Sequence, residues 1–205
     1  MKALLLKDFY VIIKQMKVFL VLIVLFAFLP GTSMTVFAIV YAALLPFTAL
    51  AYDDRAKWDT YARMLPYPET SAVMSKYVLG YLLMAGSVPV AILGGVFKML
   101  VFKDGTNFNE EALQIGLGVL CGLLFLAIEL PFVYRFGVEK GRLVFIGLCA
   151  ILGGVAGAYF AVNDGFLHFP AMSESLFIVI ACVAVAALQA LSVFLSVRFY
   201  KAQKK

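Results

Sequence analysis

The 205-residue chain is too apolar for a soluble protein, because 64% of its residues are hydrophobic and only 14% are charged. Soluble domains are about 45–50% apolar and about 25% charged, so the excess must face lipid. The net charge of +5 does not indicate nucleic-acid binding, since the basic residues lie at the ends of apolar segments and form no patch. We therefore expect one all-α, polytopic membrane domain over residues 1–205, with helices of about 20 residues.

Residues 1–16 have the pattern of an amphipathic helix. The apolar positions at helical spacing are Leu5, Phe9, Ile12, Ile13 and Met16, and the polar positions assigned to the opposite side are Lys7, Asp8, Lys14, Gln15 and Lys17. This pattern predicts a helix that lies in the membrane interface with its lysines toward anionic headgroups. The alternative is a cytoplasmic extension of the first span.

Residues 18–51 are almost uncharged and are interrupted at Pro30-Gly31-Thr32-Ser33, which is a turn signal. The two halves, 18–29 and 34–51, are each short for a full span. They form either two spans or a partly re-entrant hairpin, and both arrangements return the chain to the side on which it began.

Four further apolar segments follow a polar segment at residues 52–76. They cover residues 77–101, 112–134, 143–162 and 175–197, and a basic tail follows at 198–205. Counting the hairpin as two, the sequence predicts six transmembrane helices.

The basic residues give the orientation. If the N-terminus is cytoplasmic, the segments 1–17, 52–76, 135–142 and 198–205 face the cytoplasm, and they hold every Lys and Arg except Lys98 and Lys103. An excess of Lys and Arg in short loops marks the cytoplasmic side. We therefore predict that both termini are cytoplasmic.

Motifs for enzymatic chemistry are missing from the sequence. It contains no G-x-x-x-x-G-K-[ST] loop for a nucleotide, no G-x-S-x-G and no H-E-x-x-H, and its one histidine is His168. The glycines of Gly116-x-Gly118-x-x-x-Gly122 and Gly153-x-x-x-Gly157 lie in apolar segments, where small residues allow close helix packing. We expect a chain that is not an enzyme and binds no cofactor or metal.

Glu129 is the one acid within a predicted span. An intramembrane carboxylate indicates a functional site. The alternative is structural: the side chain reaches the interface, or caps backbone groups freed by Pro131. Arg135, about a turn and a half away, favours the structural alternative.

The polar segment 52–76 mixes both charge signs with aromatic residues. Its candidate docking residues are Asp53, Asp54, Arg55, Trp58, Asp59, Tyr61 and Arg63. Aromatic side chains rimmed by charge favour docking onto a cytosolic protein. An amphipathic helix resting on the headgroups is the alternative.

Four stretches of the sequence together resemble the ABC-2 type permeases, the membrane subunits of ATP-binding-cassette exporters. They are MKALLLKDFY at residues 1–10, YDDRAKWD at 52–59, Leu65-Pro66 followed by Ser75-Lys76-Tyr77, and PFVYRFGVEKGR at 131–142. Among these permeases, the chain looks most like the small ones of bacterial exporters for phenol-soluble-modulin-like and antimicrobial peptides.

The resemblance implies a set of roles. Residues 1–16 would be an interfacial elbow helix, and the segment 52–76 a coupling helix that sits in a groove of a separate cytosolic ATPase, which binds the ATP and Mg²⁺. Two permeases, identical or paralogous, would assemble with two ATPases in the bacterial cell membrane and export amphipathic or cytotoxic peptides. The short loop at 163–174 argues against polysaccharide cargo.

Two other functions are compatible with the residues. One is a membrane receptor or scaffold subunit that senses peptides. The other is an independent secondary transporter, which is disfavoured because the only polar residues toward the middle of the predicted spans are Glu129, off-centre, Gln189 and a few serines, whereas such transporters carry polar residues at the midplane.

The predicted orientation is testable with reporter fusions. Green fluorescent protein fused after Lys205 should fluoresce, because it folds in the cytoplasm, and alkaline phosphatase fused after Lys103 should be active, because that loop lies outside. An inactive phosphatase at Lys103 together with an active one at Lys57 would reverse the orientation.

Overall fold

The computed structural model describes residues 2–29, 32–62, 64, 68–101, 108–144, 146, 147, 150 and 174–203. The regular structure in this part of the chain is helical, and residues 138–144 are also helical. The helices named below are α1 Lys2–Gln15, α2 Lys17–Phe28, α3 Thr32–Ala43, α4 Leu45–Arg55, α5 Trp58–Ala62, α6 Glu69–Val101, α7 Phe108–Phe136 and α8 Glu174–Gln203.

Four segments of the described chain are long and apolar enough to cross a membrane. They are Met34–Arg55, Thr70–Val101, Glu111–Phe136 and Ile180–Ala202, and the bent pair α1 and α2 makes a fifth if it is counted as one span. This confirms an all-helical, multi-pass membrane protein. The predicted span at 143–162, with Gly153 and Gly157, lies largely outside the described residues, so the count of six stays a prediction.

The N-terminal helix α1 is bent by 74° from α2. One detail of its predicted polarity is wrong: Asp8 is not on the polar side but is buried with Leu4 and Ile12. The three residues are spaced by four, which places them on one helical face. Phe9 and Ile13, in contrast, are exposed, so α1 presents apolar side chains outward as well as inward. Its role as an elbow stays a prediction.

The second half of the first hairpin is longer than predicted. Helices α3 and α4 form one 22-residue span, Met34–Arg55, with a break at Leu44. Pro46 lies in the first turn of α4, where the missing N–H costs no helical hydrogen bond. The span therefore includes Asp53 and Asp54 in its last turn and is long enough to cross the membrane.

Helix α6 begins at Glu69, eight residues before its predicted span at Tyr77. Part of the segment 52–76 therefore belongs to α4 and α6. The segment consists of the end of α4, the short helix α5 and the first two turns of α6, joined by residues of which Arg63 and 65–67 are outside the described part. Helix α7 likewise begins at Phe108, four residues earlier than predicted.

Glycines let helices approach closely, as predicted for α7. A Cβ built on Gly118 would lie 3.1 Å from Ile39 Cδ1, and one on Gly122 would lie 3.2 Å from Ala43 Cβ, so both glycines face α3. Gly116 has open space instead. Two of the three glycines therefore serve close packing, while Gly116 does not.

Hydrogen bonds between side chains hold α6 against α8. The Tyr77 hydroxyl lies 2.6 Å from Ser192 Oγ and 2.8 Å from Ser196 Oγ, and all three residues are buried. One turn along α6, Tyr81 donates to Gln189 Oε1 at 3.0 Å. Polar contacts of this kind are a main source of helix association in lipid.

The close approach of α6 to α2 gives a matched stability test. A Cβ at Gly94 would collide with the backbone carbonyl of Ala27, whereas a Cβ at Gly86 meets open space. Gly94→Ala should destabilise the protein by about 1–3 kcal/mol through overpacking. Gly86→Ala should be neutral or slightly stabilising, since alanine has the higher helix propensity. Thermal unfolding in detergent checks both, and equal midpoints for the two variants would contradict the packing.

Candidate functional site

Four charged side chains form a closed ring at one end of the helix bundle. Lys7 Nζ lies 3.0 Å from Asp8 Oδ1 and 2.7 Å from Asp53 Oδ1. Lys76 Nζ lies 2.7 Å from Asp8 Oδ1 and 2.6 Å from Asp53 Oδ2. Each lysine thus contacts both aspartates, and the ring joins α1, α4 and α6.

The ring is buried to different depths. The side chains of Asp8 and Lys76 are 2% and 6% exposed, that of Asp53 is 14% exposed and that of Lys7 is 23% exposed. Two positive and two negative charges leave no net charge, and buried charges are tolerated when they are paired in this way. By the distribution of Lys and Arg, this end of the bundle is the predicted cytoplasmic end.

Trp58 extends the ring toward the polar segment. Lys57, with φ of 52°, adopts the left-handed conformation that is uncommon for residues other than glycine, and it turns the chain from α4 into α5. Lys7 Nζ then lies 4.2 Å from the centre of the Trp58 ring, within the range of a cation–π contact. The amine of Lys7 therefore connects α1 to both α4 and α5.

A cavity of about 140 Å³ lies beside the ring. Its walls come from α1, α4, α5, α6, α7 and α8, and from Gly137 and Val138 beyond α7. Gly137 has φ of 83° and donates its N–H to Val133 O at 2.9 Å, so it ends α7 at the cavity edge. The lining includes Asp54, Trp58, Tyr134 and Tyr200 besides the ring residues.

A second buried ion pair lies at the opposite end of the bundle. Lys98 Nζ is 2.9 Å from Glu111 Oε1 and donates to Thr35 Oγ1 at 2.7 Å, and Thr35 donates to Glu111 Oε2 at 3.2 Å. The three side chains join α6, α7 and α3. All three residues are buried.

The two clusters mark the ends of the apolar part of α6. Lys76 and Lys98 are twenty-two residues apart with no charged residue between them, which corresponds to about 33 Å of helix. The hydrocarbon core of a bilayer is roughly 30 Å thick. The buried lysines of α6 therefore lie at the two boundaries of that core.

The predicted docking residues separate into two groups. Asp53 is held in the ring, and Asp54 and Trp58 line the cavity. Arg55 and Tyr61 are exposed, Tyr61 by 60%. The side chain of Asp59 and all of Arg63 lie outside what the structure describes. Asp54 is also exposed, so Asp54, Arg55 and Tyr61 are the described residues of this set whose side chains are open to a partner's surface.

Glu129 is buried, with 5% of its surface exposed. Its Oε1 atom has no hydrogen-bond partner among the residues that the structure describes. The guanidinium of Arg135 lies over the rings of Phe136 and Phe199, at 5.1 Å from each centre. Both the functional and the structural role of Glu129 stay predictions.

Reasoning from the sequence missed most of the ring. The sequence pattern places Lys7 and Asp8 on a headgroup-facing surface, and Lys76 at the end of the polar docking segment 52–76. The signal was available in the spacing, because Asp8 follows Leu4 and precedes Ile12 by four residues, and Lys76 follows the buried Val73 by three.

Comparison with known protein families shows to which family the chain belongs. The family of the "ABC-2 family transporter protein" matches residues 3–201 of the chain. The chain belongs to the ABC-2 transporter family. Comparison with curated proteins and with solved structures returned no match. As an ABC-2 family member, the protein is a membrane transport component and not itself a catalyst, in agreement with the absence of nucleotide motifs from its sequence.

The charge ring of this ABC-2 protein should make a large contribution to stability. Lys76→Met leaves Asp8 and Asp53 to share Lys7, and loss of one partner in a buried ion pair costs about 3–5 kcal/mol. We expect a lower midpoint of thermal unfolding. The midpoint is measured by the fluorescence of Trp58, the single tryptophan.

The matched control is Lys14→Met, which removes the same charge from an exposed position on α1 and should leave the midpoint nearly unchanged. Asp8→Asn combined with Lys76→Met should destabilise less than the sum of the two changes, because the residues are in contact. Strict additivity would show that the ring is not formed.

Proposed function

We propose that this chain is the membrane permease of an ATP-binding-cassette exporter that moves amphipathic peptides or similar amphiphiles out of a bacterial cell. ATP and Mg²⁺ would bind to a separate cytosolic ATPase, and two permease copies or paralogues would pair with two ATPases. Membership of the ABC-2 family, whose members normally work with an ATP-binding subunit, supports this reading. We place the termini in the cytoplasm from the distribution of Lys and Arg.

The observation that carries the proposal is the connection of the exposed polar segment to the spans. Helix α5 presents Tyr61 to the surface, while Trp58 contacts Lys7 of the buried ring. The ring then contacts Asp53 at the end of α4 and Lys76 near the start of α6. A displacement of α5 by a partner would be transmitted to three helices through these contacts.

This connection suggests how ATP hydrolysis drives transport. When the ATPases close on ATP, α5 moves with them, and the ring transmits the displacement to α1, α4 and α6. The pair Lys98–Glu111 holds the far end of α6 to α7 and α3, so α6 tilts as a rod between its two charged ends. The energy comes from the partner, since the chain contains no nucleotide loop.

The proposal predicts that exposed residues of α5 bind the ATPase. Tyr61→Ala should weaken co-purification of a P-loop ATPase about tenfold or more, because aromatic side chains dominate protein interfaces, and should leave the unfolding midpoint unchanged. Trp58→Ala should retain the ATPase but lower the stimulation of ATP hydrolysis by the permease.

Phe108→Ala is the matched control, since Phe108 is 66% exposed at the opposite end of the bundle and should have no effect on either measurement. Failure of the wild-type chain to bring down any P-loop ATPase would favour a receptor or a secondary transporter. Unchanged binding and stimulation in both α5 variants would refute the coupling role of this segment.

A further inference from the structure

We propose that the cavity beside the charge ring binds the cationic head of an amphiphile, an ammonium or guanidinium group attached to an apolar chain. This deepens the proposed function by naming the substrate class, and it rests on that function only in identifying the bound group with the exported cargo.

The charges around the cavity have an acidic surplus. The charged residues that line it are Lys7, Asp8, Asp53, Asp54 and Lys76, which amounts to two lysines against three aspartates. The ring accounts for both lysines and for two aspartates. Asp54 is left over, and its carboxylate makes no ion pair within the part of the chain that the structure describes.

Aromatic side chains supply the second element of a cation site. Trp58, Tyr134 and Tyr200 all line the same cavity, and the rings of Tyr134 and Tyr200 pack edge to face with centres 5.7 Å apart. Aromatic faces attract ammonium and guanidinium groups, most strongly where water is excluded. A carboxylate beside several aromatic rings is the combination that recognises an organic cation.

The structure already contains one cation bound by this chemistry. The amine of Lys7 contacts two carboxylates and the Trp58 ring. It is also the most exposed member of the charge ring. The cavity therefore lies next to a site that already holds an ammonium group, that of Lys7. It offers the same two components, a carboxylate and aromatic rings, with Asp54 in place of the ring aspartates.

Size and position fit a headgroup. A cavity of about 140 Å³ is several times the roughly 30 Å³ that one water occupies in the liquid, so it admits a small cationic group but no folded ligand. It lies level with Lys76, at one boundary of the hydrocarbon core. An amphiphile in the adjacent leaflet can place its head in the cavity while its chain stays in lipid.

Binding can be measured on the permease alone, in dodecyl maltoside micelles, which contain no cationic group, because Trp58 is the only tryptophan and lines the cavity. Dodecylammonium is the cationic probe, and dodecanol is the neutral probe of the same chain length. We expect a saturable change in Trp58 fluorescence with dodecylammonium and only a small, non-saturating change with dodecanol. The same response to both probes would overturn the proposal.

Substitution of Asp54 distinguishes binding at the proposed site from a general effect of surface charge. Asp54→Asn should raise the half-saturating concentration of dodecylammonium about tenfold, since it removes the unpaired charge. Glu139→Gln, which removes an acid from an exposed position outside the lining, should change it less than twofold. Equal effects of the two variants would reduce the result to surface charge and refute the site.

The two proposals fail separately. If dodecylammonium binds as expected but no P-loop ATPase assembles with the chain, the cation site stands and the exporter function falls. If the ATPase assembles and is stimulated while dodecylammonium does not bind, the exporter function stands and its cargo is not recognised by a cationic head at this cavity.

Discussion

Pairing of buried charge is the constraint on which the rest of this structure depends. An isolated charge in a low-dielectric interior is unstable, so each buried lysine needs a carboxylate from another helix. In α6 this requirement applies twice, at Lys76 and at Lys98. The ion pairs of Lys76 fix α6 to α1 and α4, and the ion pair of Lys98 fixes it to α7.

The contacts around the ring explain why the polar segment cannot be separated from the spans. Asp53 belongs to the last turn of α4, and the left-handed Lys57 immediately starts the turn into α5. On the proposed function, this path would transmit a displacement of α5 to the spans, because packed side chains and paired charges have few alternative arrangements. Asp54 and Tyr61 are both exposed, and Asp54 also lines the cavity, so cargo binding and partner docking would use neighbouring side chains of one segment.

Composition was sufficient to predict a helical, multi-pass membrane protein, because hydropathy depends on the sequence alone. The glycine spacing of α7 was also informative, since Gly118 and Gly122 do contact α3. The spacing of Asp8 and Lys76 indicated buried helical faces, but the pairing in the ring could not be predicted, because it depends on which helices become neighbours and periodicity within one helix does not specify its partners. Asp8 shows the difficulty most clearly: an acid among lysines suggested a solvated face, whereas its partner lies sixty-eight positions along the chain.

The long sequence separation within the ring has a consequence for biogenesis. Asp8 and Asp53 are synthesised before Lys76, so the ribosome has delivered both acids to the insertion machinery while only Lys7 is present to neutralise them. Helix α1 can settle against the bundle only after the start of α6 has emerged. The N-terminal helix is therefore made first, but its contacts in the ring are complete only once Lys76 is present, and a chain interrupted before Lys76 has two aspartates in the ring and only one lysine.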